Sequence, residues 1–196
     1  MENETIVETF GPLKPIVDVS LDIETMARDP KAIIISIGAC TQDAHFHCYL
    51  NFKEQLALNR LLEADTLAWH MVNHTTLFTQ QLATVLQTNK TLYAAIDSLN
   101  AWFTKHVYAN GLCQVWMNSP SFDGIILSDL AKQINTALPW TYKQERDLRT
   151  LKALAEDKAP YKYAHLPDPP DNAHDALIDA KYQLEIINGC KAILAA

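Results

Sequence analysis

Asp22 and Glu24 close a nine-residue segment, residues 16–24, whose composition is that of a buried β-strand. Successive side chains of a strand point to opposite faces, so these two carboxylates project from the same side of a sheet. Two like charges held that close ask for a cation. Asp18 is in phase with them but lies earlier on the strand, further from the end where a site opens. An isolated pair of this kind also fits an exposed strand face, so the rest of the chain has to decide. Asp123 follows the expected fourth strand, and His174 and Asp179 stand at the entry to the last helix. If His174 and Asp179 both lay inside a helix, five residues would separate them by about 140° and they could not share a site. With Asp175 as the N-cap, His174 is N′ and Asp179 is N4, the positions that a helix-entry staple brings together.

Four acids converging on one place suit two divalent cations about 3.5 to 4 Å apart, which activate a water and stabilise the leaving oxygen of a phosphodiester. Oxygen ligands favour Mg²⁺ or Mn²⁺ over zinc. A neutral histidine beside them can accept the proton of the attacking water. These parts make a hydrolytic phosphodiesterase.

Strands and helices alternate around these residues along the chain. Residues 1–15, with a Gly11-Pro12 turn, form an extended lead-in. Strands are expected over 16–24, 32–40 and 45–52, and their short links make an antiparallel meander. Residues 54–106 turn helical, with Leu92, Ile96, Leu99, Trp102 and Phe103 at amphipathic spacing. A fourth strand covers 113–117, a turn through 118–123 leads into a helix over 125–135, and Trp140 opens a fifth strand towards Leu148. Thr150 is expected to cap a short helix over 151–156, a proline-rich loop fills 158–172, and the last helix begins near Asp175. This is an α/β chain with a mixed five-stranded sheet, the three-strand meander plus two further strands, flanked by helices.

The bounds are consistent with that reading. A chain of 196 residues with 48% hydrophobic content forms one domain, residues 1–196. A net charge of −7 argues against a broad basic surface that grips long nucleic acid. No run is apolar for long enough to span a bilayer, and the acidic N-terminus is unlike a secretory signal, so a cytoplasmic protein is expected. Cys40, Cys48, Cys113 and Cys190 lack metal or redox spacing and read as reduced packing residues. His70 and His74 have the spacing of zinc ligands but no third partner, and His45 and His47 read as solvated.

Asp22-Ile-Glu-Thr, Asn118-x-x-x-Phe122-Asp123 and His174-x-x-x-x-Asp179 resemble, in order, the three motifs of the DEDDh 3′–5′ exonucleases, a superfamily with a ribonuclease H-like fold. Further segments, among them Arg146-Asp-Leu-Arg-Thr150, resemble phage and prophage exonucleases, including the exodeoxyribonuclease VIII domain, the exonuclease A of T-even phages and the mycobacterial-type exoribonuclease domain. The resemblance implies metal-dependent removal of nucleotides from single-stranded 3′ ends of DNA or RNA. It makes Asp22, Glu24, Asp123 and Asp179 ligands of two Mg²⁺ or Mn²⁺ ions, and His174 the general base. Thr25 and Met26 would touch the terminal nucleotide, with Asn118 and Phe122 as further substrate contacts. Arg146 and Arg149 would engage phosphate or lock their loop. Where relatives tend to carry a Trp-Trp pair this chain has Trp69-His70, and a homodimer is an assembly open to it. The competing reading is a catalytically silent module that binds nucleic acid or protein, but such modules usually lose a ligand or the histidine, and all five are present here.

Overall fold

The computed structural model describes residues 14–171 and 173–196. The extended lead-in with its Gly11-Pro12 turn lies almost wholly outside them. Five strands form one mixed sheet: β1 (Ile16–Thr25), β2 (Ile34–Cys40), β3 (His45–Tyr49), β4 (Leu112–Met117) and β5 (Glu145–Asp147), in the spatial order β3-β2-β1-β4-β5. The first three make the antiparallel meander, while β4 runs parallel to β1 and β5 parallel to β4. Parallel pairs need long crossovers. The first is supplied by α1 (Phe52–Ala57), α2 (Ala64–Asn73), α3 (Thr75–Gln87) and α4 (Leu92–Phe103), the second by α5 (Ile125–Gln133).

Alternation along β1 assigns the two faces. Val19, Leu21 and Ile23 pack with Ile96, Leu99 and Phe103 of α4 and Leu127 and Leu130 of α5. The other face, with Asp18, Ser20, Asp22 and Glu24, lies under α8 (Ala176–Ala195), which packs Ala180, Leu184 and Ile187 with Leu151 and Ala155 of α6 (Leu148–Lys158). Each fully buried Leu or Ile contributes about 1.5 to 3 kcal/mol, so these stripes hold α8 against the sheet. Asp18, set back from the strand end, accepts from the Trp116 indole at 2.7 Å and pairs with Lys191 at 2.6 Å. Gly38 of β2, paired with Asp22, lets the first turn of α8 approach, for its missing β-carbon would fall on the Ala176 carbonyl.

Several expectations need correction. β2 starts at Ile34, because Ala32 is drawn into a bridge with Leu61. β3 stops at Tyr49, because the Asn51 side chain accepts from the Glu54 N–H and caps α1. Residues 142–144 form a 3₁₀ turn behind a Thr141/Gln144 capping box, which leaves β5 three residues long. Asp147, not Thr150, caps α6: its carboxylate accepts from the Thr150 N–H at 2.8 Å, and the helix starts three residues early. The proline-rich loop contains α7 (Pro160–Tyr163), with Pro160 at its permitted first position. His47 is half-buried against Tyr49 with its Nε2 unpartnered, and burial lowers its pKa, whereas His45 is exposed. The four cysteines are buried and free. No helix among the described residues is long and apolar enough to cross a membrane.

Candidate active site

Asp22 and Glu24 occupy the carboxyl end of β1, where a break in register between Glu24 and Thr25 ends regular pairing with β2. Asp123 enters from the end of β4. A π-helical turn, Pro120–Gly124, with the Ser119 side chain accepting from the Ser121 N–H, folds Asp123 inward to 3% exposure. Turns of this kind are frequent at functional sites because they re-aim a side chain. Asp175 caps α8 by accepting from the Leu177 and Ile178 N–H groups, and Asp179 faces back along the first turn. The Asp179 carboxylate accepts the backbone N–H of His174 at 2.9 Å. N′ and N4 therefore meet, through the backbone of the histidine as well as its ring.

Asp22, Glu24, Asp123, His174 and Asp179 line one cavity of about 500 Å³ together with Asn118, Phe122, Arg149, Lys152 and Gln183. One ligand atom each of Glu24, His174 and Asp179 lies within 4.8 Å of the others. Burial, then Asp123, Glu24 and Asp179, push the Asp22 carboxyl well above its ordinary range, against one amide bond from Gln183 Nε2 at 2.8 Å. Burial with Asp179, Asp175 and Asp123 brings Glu24 up to about 8. Burial raises Asp123 to about 7, moderated by hydrogen bonds from the backbone and by the charge of Arg149. Asp179 is raised by burial, and the His174 N–H pulls it back. Burial, then the neighbouring His74 and His70, lower the pKa of His174. No Lys or Arg among the described residues forms an ion pair with the four acids. Oxygen donors that repel one another this strongly fit a hard divalent cation.

A second cavity of about 470 Å³ shares Ile23, Glu24 and Phe122 with the first and is otherwise lined by Thr25, Arg28, Asp65, Thr66, Trp69 and His70. Thr25 reaches it, although its hydroxyl donates to the Ala27 carbonyl at 2.8 Å. Met26 does not: at 1% exposure it packs with Ile33, Ile35, Phe78 and Val85. The expected Met26 contact with a nucleotide is thereby lost to the core. Arg146 is turned away too, its guanidinium donating to the carbonyls of Lys143 and Glu145, and of its two expected roles it fills loop locking. His70 is buried, stacked on Phe78 and bonded to the Thr25 carbonyl at 3.1 Å, and so is no zinc ligand.

Four further residues join the site. Gln183 follows Asp179 by four on one helix face, and Lys152 follows Arg149 by three, spacings that could have pointed to both. Trp69 and His74 touch the His174 ring, with centroids 4.8 and 4.1 Å away. Nothing in their spacing links α2 to residue 174.

The match of residues 17–190 to a family model makes the protein a hydrolase, a nuclease of the 3′–5′ exonuclease class. Within that class the chain belongs to the Rv2179c-like family, described as the 3′-5′ exoribonuclease Rv2179c-like domain. No curated protein matches the chain.

Proposed function

We propose that the protein hydrolyses the last phosphodiester bond at the 3′ end of single-stranded RNA, releasing a 5′-mononucleotide, by DEDDh-type chemistry on a ribonuclease H-like fold. This reading rests on the meeting of four carboxylates and a histidine in one cavity at the strand ends. Asp22, Glu24, Asp123 and Asp179 would hold two Mg²⁺ or Mn²⁺ ions, which when bound neutralise the phosphate and acidify a water. His174 takes a proton from the attacking water as the water's oxygen adds to phosphorus; the P–O3′ bond breaks, and the departing oxygen takes a proton from solvent to become the new 3′-hydroxyl of the shortened chain.

Arg149 and Lys152 meet the phosphates from α6, which suits an acidic protein that grips only an end. Trp69, Phe122 and Thr25 border the adjoining cavity, a stacking platform for the terminal base. Trp69 is 43% exposed and offers its face without a second tryptophan. Every residue of this set comes from one chain, which is read as a single catalytic domain over residues 1–196 and to which a homodimer is open. Four buried free thiols support work in a reducing cytoplasm. The family match favours RNA over DNA. Likeness to the phage exonucleases rests on the motif segments alone.

The test is digestion of matched 3′-labelled and 5′-labelled single-stranded RNA and DNA with Mg²⁺ or Mn²⁺, with Asp22→Ala as control. The proposal expects early release of the 3′ label as mononucleotide, a descending ladder from the 5′ label, and an inert variant. First release of the 5′ label, or cleavage undiminished in Asp22→Ala, would overturn it. Faster cutting of DNA would move the substrate assignment alone.

A further inference from the structure

The inward stripe of α3 holds one residue that packing does not explain. Phe78, Gln81 and Val85 are all buried, at the three-and-four spacing of a core-facing stripe. Gln81 is 1% exposed. An amide at such a place is unfavourable unless it is hydrogen-bonded. Gln81 Nε2 donates to the carbonyl of His174 at 2.8 Å, across 93 residues of sequence.

His174 needs holding. Its φ is +73°, the left-handed region that a residue with a β-carbon rarely adopts. Its N–H is tied to Asp179 and its carbonyl to Gln81, so both ends of the strained residue are fixed. The ring then rests between Trp69, met edge-on, and His74. Release of the carbonyl would let φ relax to a negative value, which swings the ring away from Glu24 and Asp179. Strained residues persist where their surroundings over-determine them, and they cluster at active sites.

We propose that Gln81 is a positioning residue for the general base, the α3 amide that holds the His174 backbone so that its imidazole faces the carboxylates before RNA arrives. The inference rests on the general-base reading of His174 given above.

The experiment is a double-mutant cycle on single-stranded RNA with Mg²⁺, with kcat and KM measured for wild type, Gln81→Met, His174→Ala and the double variant. Gln81→Met keeps the length of the side chain and removes the donor. Expected is a fall in kcat of about 10- to 100-fold with KM unchanged. In the His174→Ala background the same substitution should cost nothing further, since a residue that acts only through the histidine has nothing left to position. Equal fold losses in both backgrounds, a change in KM alone, or an unchanged kcat would overturn the proposal. If circular dichroism shows Gln81→Met to be unfolded, the isosteric Gln81→Glu takes its place with the same expectations. Full kcat in His174→Ala would remove the general base and the Gln81 role with it. A wild type that cuts no polymer would instead sink the functional reading itself.

Discussion

The α-carbon of Gly38 faces the carbonyl of Ala176 so closely that any β-carbon would overlap that oxygen. Gly38 is paired with Asp22 across the sheet, and Ala176 is the first residue of α8. The contact therefore sets the distance between the β1 carboxylates and the turn that carries His174 and Asp179. Gly38→Ala should push the helix start outward. We expect about 1 to 3 kcal/mol of lost stability from overpacking, with activity falling by far more than that loss explains. Thermal melts beside rate measurements at a temperature where the variant is folded check this. A folded variant with full activity would show that the spacing is not critical.

Metal-free protein should show the charge conflict as a pH dependence. Burial first, then the neighbouring acids, raises Asp22 and brings Glu24 to about 8, and burial brings Asp123 to about 7. An acid with a higher pKa when folded binds more protons in the native state. Its contribution is full below the unfolded value and is lost as pH rises through the folded one. For Glu24 the window runs from about pH 4.5 to about pH 8. His174, whose pKa is lowered, has the opposite slope, so the quantity to read is the difference between wild type and Glu24→Gln. In chelator the variant should melt higher than wild type at pH 8, and the gap should close near pH 5. Mg²⁺ should stabilise wild type more at the higher pH. A gap that does not change with pH would contradict the account.

Gln183 donates to Asp22 Oδ1 at 2.8 Å and is 7% exposed. It orients a proposed ligand and favours its ionised form. Gln183→Leu should raise the Mg²⁺ concentration for half-maximal activity by about 10- to 100-fold, the usual cost of losing such a partner, while the rate at saturating metal stays close to wild type. A metal titration of activity is the measurement. An unchanged midpoint would reduce Gln183 to packing.

Lys152 lines the cavity beside Arg149 without touching the carboxylates as an ion pair. Lys152→Ala should raise KM for RNA several-fold. It should also flatten the plot of log KM against log salt by roughly 0.7, one phosphate contact on a single strand. An unchanged salt slope would take the lysine out of the phosphate path.

β1 was legible because it alternates: Val19, Leu21 and Ile23 against Ser20, Asp22 and Glu24 set its two faces and the carboxylate side at once. The entry to α8 was legible because Asp175 is a strong cap at a spacing that only one geometry satisfies. Element ends were less so. Asp147 outcompetes Thr150 as a cap, and the capping box at Thr141 converts an expected strand into a turn, local contests that propensity does not settle. Met26 shows a different limit, since the register break after Glu24 turns it into the α3 core, where a regular strand would have kept alternating. The helical cage is the least visible part: Trp69, His74 and Gln81 meet His174 only through tertiary packing of α2 and α3, which no spacing along the chain encodes.

Mn²⁺ binding by wild type and Asp22→Ala, measured by calorimetry on chelator-treated protein, asks whether the four carboxylates form the metal centre. Expected are saturable binding to wild type, loss of that binding in the variant, and parallel loss of 3′-end hydrolysis in a protein that remains folded. Undiminished Mn²⁺ binding to folded Asp22→Ala would contradict that expectation, for the four carboxylates would then not be the metal centre.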